Sequence, residues 1–127
     1  MLKPLETVAS IEKEQDAQPE NLKISQGKSS PTEVFLQLKA DVAQNADADT
    51  QNKLGYCYYY GKGVAKNLVE AAMCYRKAAE QDDAVGQYNL GYCYYFGKGL
   101  IQNFSAAERW FWKAANQGHA NGQYFLG

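Results

Sequence analysis

The stretch LGYCYYYGKG at residues 54–63 returns as LGYCYYFGKG at residues 90–99, with nine of its ten positions identical and an offset of 36 residues. The similarity extends beyond this stretch, because residues 48–83 and 84–119 agree at seventeen of thirty-six positions. A third copy starts at residue 120 and is cut short at residue 127. A fixed period of this length predicts a repeat array, in which each unit buries its apolar face against its neighbours.

The composition indicates a packed domain and excludes some partners. Hydrophobic residues make up 46% of the chain and aromatic residues 13%, whereas the net charge is only −1. This charge gives no electrostatic reason to expect nucleic acid or an anionic membrane surface. The longest apolar run, residues 54–60, is far shorter than the ~20 residues of a membrane-spanning helix, so no membrane insertion is expected. The amino terminus has no apolar segment of signal-peptide length, and a cytoplasmic or nuclear location is predicted.

The three cysteines favour packing over chemistry. Cys57 and Cys93 occupy the same repeat position, whereas the counterpart of Cys74 is Trp110. A disulfide between the helices of the first repeat could therefore not recur in the second, so buried, reduced thiols are favoured over a disulfide. The single histidine, His119, and the absence of CxxC spacing give no support to a zinc site, and no cofactor is expected.

The chain is divided into five segments. Residues 1–29 are poor in apolar groups and are predicted to form a disordered tail or linker. Residues 30–47 form a leading segment with Ser30 as N-cap and Glu33 placed to complete a capping box, which predicts a helix over Pro31–Asn45. We interpret this helix as the second half of a degenerate repeat. Residues 48–83 and 84–119 are the two full repeats, and 120–127 begin a truncated third one.

Each full repeat predicts a helix, a turn and a second helix. The first helices run over about 48–60 and 84–96, and the second helices over about 68–81 and 104–117. Residues that favour the N-cap precede them at Asp47, Asn67, Asp83 and Asn103. Glycines that permit a left-handed exit end the first helices and form the turn at Gly61, Gly63, Gly97 and Gly99.

The helical period assigns a set of positions to packing. Small residues mark places where two helix backbones approach closely, and large residues fill the space beside them. These packing positions are Leu54, Gly55, Tyr58, Ala71 and Ala78 in the first repeat and Leu90, Gly91, Tyr94, Ala107 and Ala114 in the second.

A second set of first-helix residues points away from the Leu54 and Leu90 side. We call this set the first-helix face: Lys53, Tyr56, Tyr60, Asn89, Tyr92 and Phe96. Two interpretations are open. Exposed, repeated tyrosines would offer rigid contact area with a polar tip for binding a peptide. Alternatively, the same rings pack between the repeats.

Together, these residues resemble the Sel-1-like repeat. The shared pattern is Ala-x5-Leu-Gly-x2-Tyr-x2-Gly-x-Gly, followed by an asparagine cap, an alanine, an aromatic pair and Lys-Ala-Ala, and the resemblance covers residues 48–127. It implies an all-α, right-handed α-solenoid of tetratricopeptide-related helix pairs, with the first helices lining a concave surface. Asn67 and Asn103 stand where the family usually has aspartate. The third copy lacks its second helix, so we interpret the chain as a fragment of a longer array.

The resemblance implies a binding role without catalysis. We expect a scaffold or adaptor that binds a peptide or a partner domain on the concave surface, with no small-molecule substrate. One alternative is a regulatory or linker segment of a larger signalling protein, such as one carrying a kinase. Another is a spacer without a ligand. Some cysteine-rich bacterial relatives have been assigned β-lactam hydrolysis, but their paired, recurring cysteines are absent here. The repeated Gly-Lys-Gly lacks the GxxxxGK[ST] pattern of a phosphate-binding loop and is interpreted as a turn.

Overall fold

The computed structural model describes residues 30–118, and this part of the chain is a stack of α-helices without a strand. Its five helices are α1 (Pro31–Gln44), α2 (Ala48–Tyr60), α3 (Leu68–Ala79), α4 (Ala84–Phe96) and α5 (Phe104–Asn116). Helix α2 packs on α3 and α4 packs on α5, while α3 contacts α4 and α1 covers α2. The predicted all-α stack of helix pairs is thereby confirmed. The predicted tail 1–29, His119 and the start of the third repeat lie outside the described residues.

Every described helix begins at a side chain that caps its free backbone N–H groups. At α1 the capping box is complete: the Glu33 N–H donates to Ser30 Oγ over 3.1 Å, and the Ser30 N–H donates to Glu33 Oε1 over 2.9 Å. The other four helices have a single cap each. These caps are Asp47, Asn67, Asp83 and Asn103, which accept from the N–H groups of Thr50, Glu70, Gly86 and Ala106 at 2.8, 3.0, 2.8 and 3.0 Å. Such a cap contributes about 1 kcal/mol to stability.

The turn after each first helix presses against the second helix of the preceding unit. Gly63 and Gly99 have φ angles of 77° and 75°. A Cβ atom at Gly63 would lie 2.1 Å from the Pro31 carbonyl oxygen, and one at Gly99 would lie 2.1 Å from the Leu68 carbonyl oxygen. Both the backbone conformation and the lack of space therefore require glycine at these two positions.

The second helices end slightly earlier than the sequence predicts. Helix α3 stops at Ala79, because the N–H groups of Gln81 and Asp82 donate to the carbonyls of Ala78 and Ala79 over 3.0 Å in a tightened last turn. Asp82 then adopts a left-handed conformation with φ 62°. Helices α1 and α5 each end one residue before their predicted limits.

Within each repeat, a helix glycine receives a buried aromatic ring. A Cβ atom at Gly55 would lie 2.7 Å from Tyr75 Cε1, and one at Gly91 would lie 2.8 Å from Phe111 Cδ1. Tyr75 and Phe111 are fully buried. The two repeats therefore use the same ring-over-glycine contact to bring their paired helices together.

The other packing positions also lie in or beside the core. Leu54, Leu90, Ala71, Ala78, Ala107 and Ala114 are buried, whereas Tyr58 and Tyr94 are half-buried. Tyr58 meets Phe35 of α1 edge to face at 5.4 Å, and Tyr94 Oη accepts a hydrogen bond from the Arg76 guanidinium.

A glutamine hydrogen bond recurs at the opposite end of the helices from the glycine turns. Gln81 Nε2 donates to the Ala46 carbonyl oxygen over 2.9 Å. Thirty-six residues later, Gln117 Nε2 donates to the Asp82 carbonyl oxygen over 2.9 Å and to Gln87 Oε1 over 2.8 Å. Each glutamine thus links the loop after its own helix pair to the loop before it, which fixes how one unit sits on the next.

Candidate functional site

The structure divides the first-helix face into an accessible part and a buried part. Lys53, Tyr56 and Tyr60 on α2 and Phe96 on α4 are partly exposed. Asn89 and Tyr92 are not accessible, because their exposed fractions are 0% and 2%. For Asn89 and Tyr92 the exposed interpretation is therefore corrected.

The burial of Tyr92 follows from the stacking of one repeat on the next. Its side chain hydrogen bonds with that of Tyr59 on α2, so this ring pair bridges the first helices of the two repeats. Tyr59 is itself buried, and desolvation is the main cause that raises its pKa far above the usual value of a phenol. The Tyr59 phenol therefore stays neutral, and its hydrogen bond with Tyr92 is a polar contact inside the interface.

The aromatic side chains of this face, together with one neighbouring tyrosine on each helix, form an arrangement that is repeated almost unchanged. We call the two groups the aromatic triads: Tyr56, Tyr59 and Tyr60 on α2, and Tyr92, Tyr95 and Phe96 on α4. In the first triad the outer rings, four residues apart, lie 4.8 Å apart at 51°, and the adjacent rings lie 4.8 Å apart at 62°. In the second triad the corresponding values are 4.6 Å at 50° and 5.0 Å at 61°. The geometry therefore recurs, with a phenylalanine replacing the last tyrosine.

Each triad has a buried ring as its base and a partly exposed ring at its end. Tyr59 and Tyr95 are buried, and Tyr95 also contacts Phe104 of α5 at a ring distance of 4.9 Å. Burial raises the pKa of Tyr95. Tyr60 and Phe96 lie against these bases and remain partly exposed. Because the bases are held in the core, the rings that pack on them are restricted in orientation.

The first-helix layer carries almost no free charge. Helix α4 contains no charged residue, and the two charged residues of α2 are Asp49 and Lys53. Their side chains form an ion pair with 3.0 Å between Lys53 Nζ and Asp49 Oδ2. The role of Asp49 was missed at the sequence level, although an acidic residue four positions before a lysine is the usual signal for such a pair on a helix. The two first helices themselves therefore contribute aromatic rings and no unpaired charge to the face.

The cysteine side chains are packing groups. Cys57, Cys74 and Cys93 are free and buried. Desolvation by burial is the main cause that raises the pKa of all three thiols, to about 12 for Cys74 and Cys93. The thiolate, which is the nucleophilic form, is therefore strongly disfavoured at each position.

Two further properties concern residues 30–118. This range contains no group of three or more histidine, cysteine, aspartate or glutamate side chains arranged to hold a metal ion. None of its helices is long and apolar enough to cross a membrane.

These features define a stacked helix-pair repeat protein with an aromatic face on its first helices. The model of the Sel1 repeat family matches residues 48–83 and 84–119, which is more than half of the chain. The chain belongs to the Sel1 repeat family. No curated protein sequence matches it significantly.

Solved structures with this fold are similar over most of the chain. The structure of c5321, a protective antigen of uropathogenic Escherichia coli with an SLR fold, is 32% identical with a TM-score of 0.70, covering 74% of this chain and 20% of c5321. A Sel1 repeat protein from Oxalobacter formigenes is 41% identical with a TM-score of 0.65, covering 71% of this chain and 37% of that protein. Helicobacter pylori cysteine rich protein B is 32% identical with a TM-score of 0.69, covering 76% of this chain and 71% of that protein.

The extent of these matches matters for function. This chain spans about a fifth of the E. coli protein and little more than a third of the O. formigenes protein. The similarity therefore establishes the family and the fold of the repeats.

Proposed function

We propose that this protein is a non-catalytic scaffold that binds a peptide or a partner domain on its first-helix face. The observation that carries this proposal is the aromatic triad, which recurs with nearly the same ring distances and angles on both first helices. Rigid, partly exposed aromatic rings lose little entropy on binding and provide large contact areas, which is why they dominate the energetics of protein interfaces.

In this proposal some first-helix residues contact the partner and others support them. Tyr56, Tyr60 and Phe96 supply the contact area, and the Lys53 side chain borders them. Asn89 and Tyr92 do not contact the partner in this proposal, because they are buried. They support the exposed rings from inside the stack. The neutral character of the two first helices supports a protein partner over nucleic acid, whose phosphates require a cluster of lysine or arginine side chains.

The proposal includes the absence of catalysis and a reducing location. The buried thiols with raised pKa values support a packing role over a nucleophilic role for the cysteines. Free thiols in this number also support the cytoplasm or nucleus as the setting. We expect no turnover of a chromogenic β-lactam by the purified protein; turnover above the buffer rate would contradict the non-catalytic part of the proposal.

A second candidate function is that the chain serves as a regulatory or linking repeat segment of a larger protein. The short coverage of the first two solved relatives favours this candidate, because both of those proteins continue well beyond the matched part. The two candidates are compatible, since a repeat segment of a larger protein can still bind through its first-helix face.

The experiment that tests the proposal compares two folded variants in affinity capture from cell lysate. The test variant carries Tyr56→Ser and Tyr60→Ser on α2. The control carries Val69→Ser and Met73→Ser, an exposed apolar pair with the same four-residue spacing on the second helix α3. Circular dichroism verifies that both variants remain helical.

We expect captured partners to be lost from the test variant and retained by the control. Partners retained by both variants, or lost from both, would contradict binding at the first-helix face.

A further inference from the structure

We infer that residues 4–17 of the amino-terminal tail bind, as a short amphipathic helix, to an exposed surface between α1 and α3. This surface, which we call the α1–α3 surface, consists of Leu36 and Lys39 on α1 together with Met73 and Lys77 on α3. It contains no residue of α2 or α4, so the inference goes beyond the proposed function and does not depend on it.

The α1–α3 surface exposes two large apolar side chains at equivalent places on neighbouring helices. Leu36 and Met73 have exposed fractions of 59% and 46%, and each lies six residues after the N-cap of its helix. The two helices are neighbours, because Phe35 and Leu38 of α1 pack in one cluster with Cys74 of α3. Exposed apolar groups at one level of two adjacent helices form a surface that another segment can cover.

One turn further along, each of these helices carries an exposed lysine. Burial raises the pKa of the Cys74 thiol to about 12, whereas Lys77 and Lys39 both lower it, so both ammonium groups lie near this residue at the contact between α1 and α3. Glu70 acts on the same thiol in the opposite sense, but neither lysine forms an ion pair with a side chain of residues 30–118. The α1–α3 surface therefore has an apolar level followed by a positively charged level.

The amino-terminal tail contains a segment with the complementary pattern. Pro4 suits the first turn of a helix and Pro19 prevents its continuation, so the sequence permits a helix over residues 4–17. This segment carries four acidic residues and one lysine. One side of the helix has two apolar residues followed by two acidic ones: Leu5, Val8, Glu12 and Asp16. Its apolar and acidic levels are one turn apart, as the apolar and lysine levels of the α1–α3 surface are.

The two patterns fit each other within the length of the chain. With the apolar residues of the tail on the apolar level of the surface, the tail carboxylates reach the level of the two lysines. Residues 18–29 then return the chain to Ser30 at the start of α1. These twelve residues can span up to about 40 Å, whereas α1 is only about 21 Å long.

The covalent connection favours the tail of the same chain over a separate partner. A tethered segment has an effective concentration on the order of millimolar, so even a small contact is occupied. A helix of fourteen residues with few apolar groups is marginal alone, and it gains its order from the contact. The tail is thus predicted to be without structure when it is released and helical when it is bound.

Hydrogen exchange of the full-length protein, followed by mass spectrometry, tests the inference. We expect the amide groups of residues 4–17 to exchange at least about tenfold more slowly than the rate for an unstructured chain of the same sequence. Because the contact lies within one chain, this protection should not depend on protein concentration.

An exchange of charges tests which residues make the contact. Lys39→Glu combined with Lys77→Glu is expected to remove the protection of residues 4–17, because like charges then face each other. Adding Glu12→Lys and Asp16→Lys to this variant is expected to restore the protection, because the opposite charges are then present again with their places exchanged.

Matched controls separate the α1–α3 surface from general effects of charge and apolarity. Lys62→Glu combined with Lys66→Glu reverses two exposed charges in the loop after α2 and should leave the protection unchanged. Leu36→Ser combined with Met73→Ser should remove the protection, whereas Ile101→Ser, which changes a 90% exposed residue before α5, should not. Circular dichroism verifies that every variant remains helical.

Three results would overturn the inference. The first is unprotected exchange throughout residues 4–17 of the unmodified protein. The second is protection that survives the changes on the α1–α3 surface or is not restored by the exchange of charges. The third is protection that appears only at high protein concentration, which would assign the bound tail to a second copy. None of these results affects the first-helix face, which the Tyr56 and Tyr60 changes test separately.

Discussion

At the scale of single residues, Tyr75 and Phe111 offer a comparison inside one molecule. They occupy equivalent positions, each packs on a helix glycine, and they differ only by a hydroxyl group. The Tyr75 hydroxyl oxygen is buried and has no hydrogen-bond partner among the described residues. A buried hydroxyl without a partner costs about 1–3 kcal/mol of desolvation.

We therefore expect Tyr75→Phe to leave stability unchanged or to raise the free energy of unfolding by about 1 kcal/mol, because Phe111 demonstrates that the site accepts phenylalanine. The measurement is urea unfolding followed by circular dichroism. Tyr59→Phe is the matched control: it removes a hydroxyl that bonds with Tyr92 and should lower stability by about 0.5–1.5 kcal/mol. If Tyr75→Phe were as destabilising as the control, the hydroxyl would have a partner after all.

The same scale explains which part of the candidate site could be predicted from sequence. The helical period correctly assigned Gly55, Gly91 and the alanines to packing, because it reports which side of a helix faces its own partner. The helical period left two interpretations open for Asn89 and Tyr92, because their burial depends on contacts with elements other than the paired helix of the same repeat. The contact between Tyr59 and Tyr92 joins residues 33 positions apart in different repeats, and no local pattern encodes it.

At the scale of elements, the helix starts were the best predicted feature, because each cap depends on two nearby residues. All five expected N-caps are observed with their backbone partners three positions on. The end of α3 was less accurate, because it is followed by a left-handed aspartate, Asp82, where sequence patterns favour glycine or asparagine. The four caps of the two full repeats come in two chemical kinds: carboxylates at Asp47 and Asp83, and amides at Asn67 and Asn103.

This difference predicts a pH dependence that belongs to α2. The pKa of Asp47 is lowered, first by the hydrogen bond from the Thr50 backbone N–H and then by the Thr50 side chain. A carboxyl group whose pKa is lower in the folded state stabilises fully above its unfolded pKa of about 3.9 and loses this contribution as the pH falls through the folded value. Asparagine also caps a helix and does not titrate.

We therefore expect Asp47→Asn to lose less stability than the unmodified protein between pH 6 and pH 2.5. Urea unfolding at both pH values measures the difference, and the other acidic residues, which both proteins share, cancel in the comparison. Asp49→Asn, in the first turn of the same helix and outside the cap, controls for the removal of an acidic side chain, here one that pairs with Lys53. An equal loss of stability for Asp47→Asn and the unmodified protein would mean that the Asp47 cap is not formed in solution.

At the scale of the whole molecule, stability is distributed between neighbouring units. Helix α1 buries Phe35 and Leu38 against Leu54, Cys57 and Cys74 in one apolar cluster. A larger cluster joins the two full repeats, and Tyr58 packs against both clusters. In a stacked array, each unit is stabilised chiefly by its immediate neighbours, so a defect at one end should weaken the adjacent helices before the distant ones.

Substitutions of Leu38 and Leu36 on α1 test whether destabilisation falls off along the stack. Leu38 is buried, with an exposed fraction of 8%, whereas Leu36 has an exposed fraction of 59%. Leu38→Ala should cost about 2–5 kcal/mol, whereas Leu36→Ala should change stability by no more than about 0.5 kcal/mol. Hydrogen exchange followed by mass spectrometry should then report faster exchange in α2, which α1 covers, and nearly unchanged exchange in α4 and α5 for Leu38→Ala. Equal acceleration of exchange in α2 and α4 would mean that residues 30–118 unfold as one cooperative unit, and the aromatic triads on α2 and α4 would then be lost together. Selective acceleration in α2 would mean that α1 controls the first triad alone, so that the accessible part of the first-helix face can be weakened at one end while Phe96 stays in place.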